Sequence, residues 1–199
     1  MKTITHILGL ILLISATAVA QLAPVNEPQV CFNCHADMET MTKEKHVHTA
    51  FEGGACSDCH NPHASSHMGL LSSTPGELCV SCHEDISAAA AGAHGHAPAA
   101  AGDCMSCHDP HASSHGDQLT KEMKALCLEC HATTMQKWET AEKTHAPVAG
   151  GACMNCHDAH GTEHDGMVDR GVPGLCIDCH TMDAGFRAAH SGWDMTNAD

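Results

Sequence analysis

The cysteines and histidines carry the chemistry of this chain, because every cysteine falls in one five-residue pattern. The sequence has 199 residues, with 14 cysteines and 20 histidines. Seven copies of C-x-x-C-H use all of the cysteines. The copies are Cys31, Cys34 and His35; Cys56, Cys59 and His60; Cys79, Cys82 and His83; Cys104, Cys107 and His108; Cys127, Cys130 and His131; Cys153, Cys156 and His157; Cys176, Cys179 and His180. In each copy two thiols can bond one group covalently while the next imidazole binds a metal.

This pattern is the attachment signature of c-type haem, in which both cysteines form thioethers and the histidine is the proximal iron ligand. It predicts seven c-type haems. Disulfides are the usual use of exported cysteines, but they give no reason for a histidine after every second cysteine. Four-cysteine zinc sites need such pairs in twos, and seven is odd. Thioredoxin-like chemistry uses one motif beside a βαβ unit, which this sequence lacks.

The spacing of the motifs reveals an internal repeat. Consecutive motifs begin 25, 23, 25, 23, 26 and 23 residues apart. A two-motif repeat therefore occurs three times after a single lead motif, and such repetition indicates a one-dimensional array of units. We predict one domain over residues 21–199, with a lead motif (31–55) and repeats at 56–103, 104–152 and 153–199. Within each repeat, the two copies of C-x-x-C-H are called here the first motif and the second motif.

A second set of histidines is predicted to supply the distal iron ligands. Two classes recur: histidines three residues after a proximal ligand, and histidines shortly before the next repeat. The predicted distal ligands are His63, His111 and His160 in the first class and His48, His96, His145 and His190 in the second. Apart from His6 in the N-terminal segment, the remaining histidines, which are surplus to this count, are His46, His67, His94, His115 and His164.

Geometry restricts the first class of distal ligands. Residues i and i+3 lie on the same side of a helical turn, so His60 and His63 cannot approach opposite faces of one haem. His63 is therefore expected to serve a neighbouring iron, and so are its two counterparts. A register error between the two sets would replace these ligands with the histidines four residues further on, which are His67, His115 and His164. For the second class, spacing leaves open whether each histidine returns to its own haem or reaches another.

The predicted fold is mostly irregular with short α-helices, arranged as an elongated repeat array with little or no β-sheet. Helices are expected at 36–45, 84–93, 132–143 and 181–189. The sequence has 3 Phe, 2 Trp and no Tyr, so an ordinary core would be poorly filled. The haems themselves are expected to form the core.

The N-terminus predicts export. Lys2 precedes an apolar run, and Ala18-Val19-Ala20 ends it, as in a cleavable signal peptide over residues 1–20. We therefore expect a periplasmic, outer-membrane-associated or extracellular protein. A net charge of −15 argues against nucleic-acid binding and favours basic docking partners.

The run from His145 to Gly161, together with C-x-x-C-H-x-x-H followed by Leu-C-x-x-C-H, resembles multihaem c-type cytochromes with doubled C-x-x-C-H motifs. In particular, it is similar to the periplasmic decahaem cytochromes of outer-membrane porin–cytochrome conduits. The resemblance covers essentially residues 31–190. It implies bis-histidine haems in a nearly linear wire and a β-barrel porin partner.

The expected function is electron transfer along a chain of bis-histidine haems, in the periplasm or across the outer membrane, between redox protein donors and acceptors. Two alternatives remain. A multihaem nitrite or hydroxylamine reductase would need an open distal position, often beside an altered proximal ligand, and all seven motifs here end in histidine. An extracellular filament of copies of this chain would use the open ends of the array.

Overall fold

The helices of this chain are short, as the frequent glycines and prolines predict. A computed structural model describes residues 26–172 and 174–191; the predicted signal peptide lies outside them. The α-helices in this part of the chain are α1 (Gln29–Phe32), α2 (Ala36–Met41), α3 (Thr49–Glu52), α4 (Cys56–Cys59), α5 (Pro75–Val80), α6 (Glu84–Ala90), α7 (Ala97–Ala100), α8 (Met123–Glu139), α9 (Ala146–Gly150), α10 (Gly174–Ile177) and α11 (Ala184–Ala189). Single 3-10 turns cover Met68–Leu70, Cys104–Ser106, Gly116–Gln118, Cys153–Asn155 and Asp165–Met167.

All four predicted helices are present, but their limits differ from those expected. The helices that follow His35 and His83 stop at Met41 and Ala90, several residues earlier than predicted. The third predicted helix is the C-terminal half of α8, which also contains a complete motif and bends at His131. Polar side chains determine where some of the helices begin. The hydroxyl of Thr74 and the carboxylate of Glu77, for example, form a reciprocal capping box that begins α5.

Two very short antiparallel ladders join different repeats. Strands β1 (His46–Val47) and β3 (Ala112–Ser113) pair with each other, and so do β2 (His94–Gly95) and β4 (Gly161–Thr162). Next to each ladder, a further backbone bond runs between histidines: the N–H of His48 donates to the carbonyl of His111 at 2.9 Å. Each ladder therefore holds the segment before one repeat against the first motif of the following repeat.

The polypeptide has almost no side-chain core of its own. Within the described residues, the buried apolar side chains are Ala90, Ala112 and Met135. Several large apolar groups remain at the surface, and Met68 is 93 % exposed. An irregular chain with short helices, minimal sheet and so little buried apolar surface confirms the predicted fold class and leaves room for large apolar cofactors.

Candidate haem-binding sites

Each C-x-x-C-H motif folds into a single helical turn. In six motifs the backbone N–H of the histidine donates to the carbonyl of the first cysteine at 2.9–3.2 Å, and the seventh lies inside α8. Residues i, i+3 and i+4 lie on one side of such a turn. Both thiols and the imidazole of a motif are therefore gathered on the same side, as attachment to one haem requires.

The cysteines, all of them in the described residues, form no disulfides, and thiols of consecutive motifs lie near one another. Burial, and after it a hydrogen bond with the Cys31 thiol, raises the pKa of Cys56 to about 11. Thiols from consecutive motifs interact in the pairs Cys31 with Cys56, Cys59 with Cys79 and Cys82, Cys79 with Cys104, Cys107 with Cys127, Cys127 with Cys153, and Cys156 with Cys176 and Cys179. The seven attachment points therefore follow one another without a break.

Five proximal histidines face a predicted distal histidine. Their ring centres are 6.1 Å apart in four pairs and 5.9 Å apart in the fifth. The pairs are His48 with His83, His60 with His111, His96 with His131, His108 with His160, and His145 with His180. An iron between two imidazoles separates the ring centres by about 6 Å, given metal–nitrogen bonds of about 2 Å and about 1 Å from each nitrogen to its ring centre. The spacing of these pairs fits bis-histidine haem.

The two classes of distal histidine reach their partners differently. His48 faces the second motif of the repeat that it precedes, 35 residues further on, and so do its two paired counterparts. His111 instead faces His60, the first-motif histidine of the preceding repeat. It thus faces the proximal histidine of a different site, as the i+3 argument expects, although two motifs, those of His83 and His108, lie between His60 and His111 in sequence.

Not every predicted ligand is brought into such a pair. In the described part of the chain, His35 and His157 do not face a second imidazole, and His63 does not face a proximal one. His190 instead stacks on Phe186, with ring centres 4.2 Å apart, and hydrogen-bonds to its carbonyl. The assignment of these four histidines to particular irons stays a prediction. The i+3 histidines His111 and His160 occupy the facing positions, and the surplus His115 and His164 do not.

The carbonyl groups that orient the first-motif histidines were missed from the sequence. Nδ1 of His60, His108 and His157 lies 2.7, 2.7 and 2.8 Å from the backbone oxygens of Gly69, Asp117 and Gly166. Because a carbonyl only accepts, Nδ1 must carry the proton, which leaves the Nε2 lone pair available to a metal. The acceptor in each case has a positive φ, between 53° and 71°. Two of the three are glycines, which is the only signal the sequence offers.

The protonation of the distal histidines also suits metal binding. Burial lowers the pKa of His48, and the nearby His83 lowers it further. Burial likewise lowers the pKa of His111, against the opposing effect of the Asp109 carboxylate. Both rings therefore favour the neutral form that ligates iron.

Paired cysteines beside imidazoles at the spacing of an iron define a multihaem c-type cytochrome, a class that transfers electrons. The family model of the doubled CXXCH motif matches residues 48–88, 96–136 and 145–185, more than half of the chain. The chain belongs to this family. Each matched stretch begins at a predicted distal histidine of the second class and contains the second-motif histidine that it faces. A comparison with curated proteins finds no match.

Across the described residues, no helix has the length and apolar character needed to cross a membrane.

Proposed function

We propose that this chain is an exported heptahaem electron carrier in which histidine pairs hold every haem. The observation that carries the proposal is the set of five facing imidazole pairs, together with hydrogen-bonded thiol pairs that join consecutive motifs at Cys31 and Cys56, Cys79 and Cys104, and Cys127 and Cys153. Haem attached at these motifs supplies one-electron redox chemistry. The chain fixes each attachment point beside the next and supplies ligands from neighbouring repeats, so consecutive haems are held close without any large motion.

The experiment that tests this function is a reductive titration of the purified protein combined with a haem count. We expect seven haems per chain, full reversible reduction and low-spin spectra in both oxidation states. Rapid electron exchange with an immobilised electrode, in the absence of any substrate, supports a carrier. A protein that binds fewer haems or is reduced only in part contradicts the proposal.

Location and partners are part of the same proposal. The signal-like residues 1–20 support export to the periplasm or the cell surface, and the charge of −15 supports docking of basic regions on redox partners. The proposed partners are redox proteins, an outer-membrane β-barrel porin, or copies of this chain in a filament. Cell fractionation followed by cross-linking and electron microscopy separates these cases: a barrel of defined mass, a periodic fibre, or a monomer.

A reductase is the second candidate, because His35 and His157 do not face a second imidazole in the described residues. An iron with one protein ligand at either motif would accept a small ligand such as nitrite or hydroxylamine. Carbon monoxide binding to the reduced protein tests this alternative. Binding that is abolished by replacing the cysteines of one of these two motifs favours an open site there; no binding favours the carrier.

A further inference from the structure

The first-motif and second-motif sites differ in how the proximal imidazole is held. In the first-motif class, Nδ1–H donates to a backbone carbonyl at 2.7–2.8 Å in all three repeats. The second-motif histidines His83, His131 and His180 make no such bond within the described residues. The acceptor is built into the fold, because it lies in a turn that returns the chain to the motif: His60 and Leu71, for example, form an isolated β-bridge.

The distal imidazoles of the two kinds of site show the same difference: those that face first-motif histidines have a carboxylate near Nδ1. Asp158 Oδ1 lies 3.2 Å from Nδ1 of His160, and Asp109 Oδ1 lies 3.8 Å from Nδ1 of His111. Both of these histidines face first-motif sites. Among the distal histidines of the second-motif sites, His96 has a carbonyl acceptor at 2.9 Å, whereas His48 and His145 have none in the part of the chain that the structure describes.

An acceptor at Nδ1 gives the ring partial imidazolate character. The other nitrogen then donates more electron density to the metal, and this stabilises ferric over ferrous iron. The first-motif sites at His60 and His108 combine a carbonyl on one ring with a carboxylate beside the other. Among the residues described by the structure, the second-motif sites at His83 and His180 have neither.

We propose that the haems of the first-motif sites at His60 and His108 have lower reduction potentials than those of the second-motif sites at His83 and His180, and that Asp109 and Asp158 are positioning residues that set part of this difference. The inference rests on the haem binding proposed above. Because the two kinds of motif alternate along the chain, the potential alternates from one haem to the next. The haem of the site at His131, where only the distal His96 has an acceptor at Nδ1, is expected to have an intermediate potential.

The test is Asp158→Asn, which removes the charge and keeps the turn. Asp158 Oδ1 accepts the backbone N–H of His160 at 2.8 Å. Asn61 occupies the same place in the first repeat, and its side-chain oxygen accepts the N–H of His63 at 3.1 Å. Asparagine is therefore compatible with this turn. The Asp158 carboxylate is 42 % exposed, so water screens it in part.

The expected result for D158N is a rise in the midpoint potential of the His108 haem, which His160 faces, with a smaller rise for the haem of His157, which Asp158 follows directly, and no change in the others. A tenfold loss of preference for ferric iron corresponds to about 59 mV for one electron. The measurement is a potentiometric titration followed by optical and EPR spectra. The planes of the facing rings are 9° and 14° from parallel in the first-motif pairs, against 27°, 30° and 51° in the second-motif pairs, so the EPR signals of the two classes should differ.

Two control variants separate the charge from the structure. D158A removes both charge and turn; it should show the same potential rise but a lower melting temperature than D158N. N61D adds a carboxylate next to His60 and beside His63, and so reports the effect of a nearby charge alone. It should lower the potential of the His60 haem by less than D158N raises that of the His108 haem.

Two outcomes overturn the proposal: a D158N titration that superimposes on the wild type, or an equal shift of all haems. Failure of the proposed function itself looks different, because the wild-type protein would then lack bound haem and would show no reversible titration.

Discussion

Helix α5 lies so close to the segment before Cys104 that one added methyl group should weaken the contact between two attachment points. A Cβ on Gly76 would lie 2.9 Å from the Cα of Gly102 and 3.0 Å from its carbonyl oxygen. Both obstacles are backbone atoms, so no side chain can rotate away. The contact lies beside the interacting thiols of Cys79 and Cys104.

We predict that Gly76→Ala destabilises the protein, although alanine is the better helix former. Overpacking costs about 1–3 kcal/mol, and the gain in helix propensity offsets up to about 1 kcal/mol of it. The net loss of about 1–2 kcal/mol corresponds to a fall of about 3–6 °C in melting temperature for a chain of this size. The measurement is thermal unfolding of the haem-loaded protein, followed by far-UV circular dichroism.

Gly150→Ala is the matched control. Gly150 is also helical, but a Cβ there meets no atom within 4 Å. This substitution should raise the melting temperature slightly, because alanine stabilises helix and restricts the unfolded chain by about 0.4–1 kcal/mol. The reasoning is refuted if G76A is as stable as the wild type, or if both variants change stability in the same direction.

The remaining predictions concern one ligand and one helix cap. His111→Ala should convert the site that it faces to a high-spin form that binds carbon monoxide when reduced, whereas His115→Ala should leave the spectra unchanged. The reverse pattern would show that His115, and not His111, is the distal ligand. Thr74→Ala removes the capping hydroxyl of α5 and should cost about 1 kcal/mol, or about 2–4 °C in melting temperature; an unchanged melting temperature contradicts this. Hydrogen bonds from Ser73, and after it from Thr74, lower the pKa of Glu77 in the folded state. The ionised Glu77 therefore stabilises the fold at a pH above its unfolded pKa of about 4.3. This stabilisation is lost as the pH falls through the folded pKa of Glu77. The difference in melting temperature between wild type and Glu77→Gln should therefore shrink on acidification, and a constant difference from pH 7 to pH 3 would show that the carboxylate contributes nothing.

The sequence predicts the motifs and the fold class well because both follow from local chemistry. A helical turn places Cys31, Cys34 and His35 on one side whatever surrounds them. The same reasoning shows that His111 cannot serve the iron of His108. It does not select His60 as the partner, because that choice depends on two-residue ladders such as β1 with β3, which are too short to leave a periodic pattern.

Other features escape prediction for equally physical reasons. The turn that presents a carbonyl to His108 uses Asp117 and Gln118, both at positive φ, where the residue types give little sign of it. The limits of the helices depend on caps and tertiary contacts. The approach of Gly76 to Gly102 joins two segments that are 26 residues apart in the chain, so neither glycine signals the contact on its own.

The most direct test of the central claim is a count of haems on the purified chain together with their axial ligation. Intact mass spectrometry gives the number of covalently attached haems, and near-infrared magnetic circular dichroism gives the ligand pair of each low-spin iron. The account predicts seven haems, with bis-histidine signals for at least the five sites whose imidazoles face each other. Unmodified thiols in the mature protein, or histidine–methionine signals at those five sites, would contradict it.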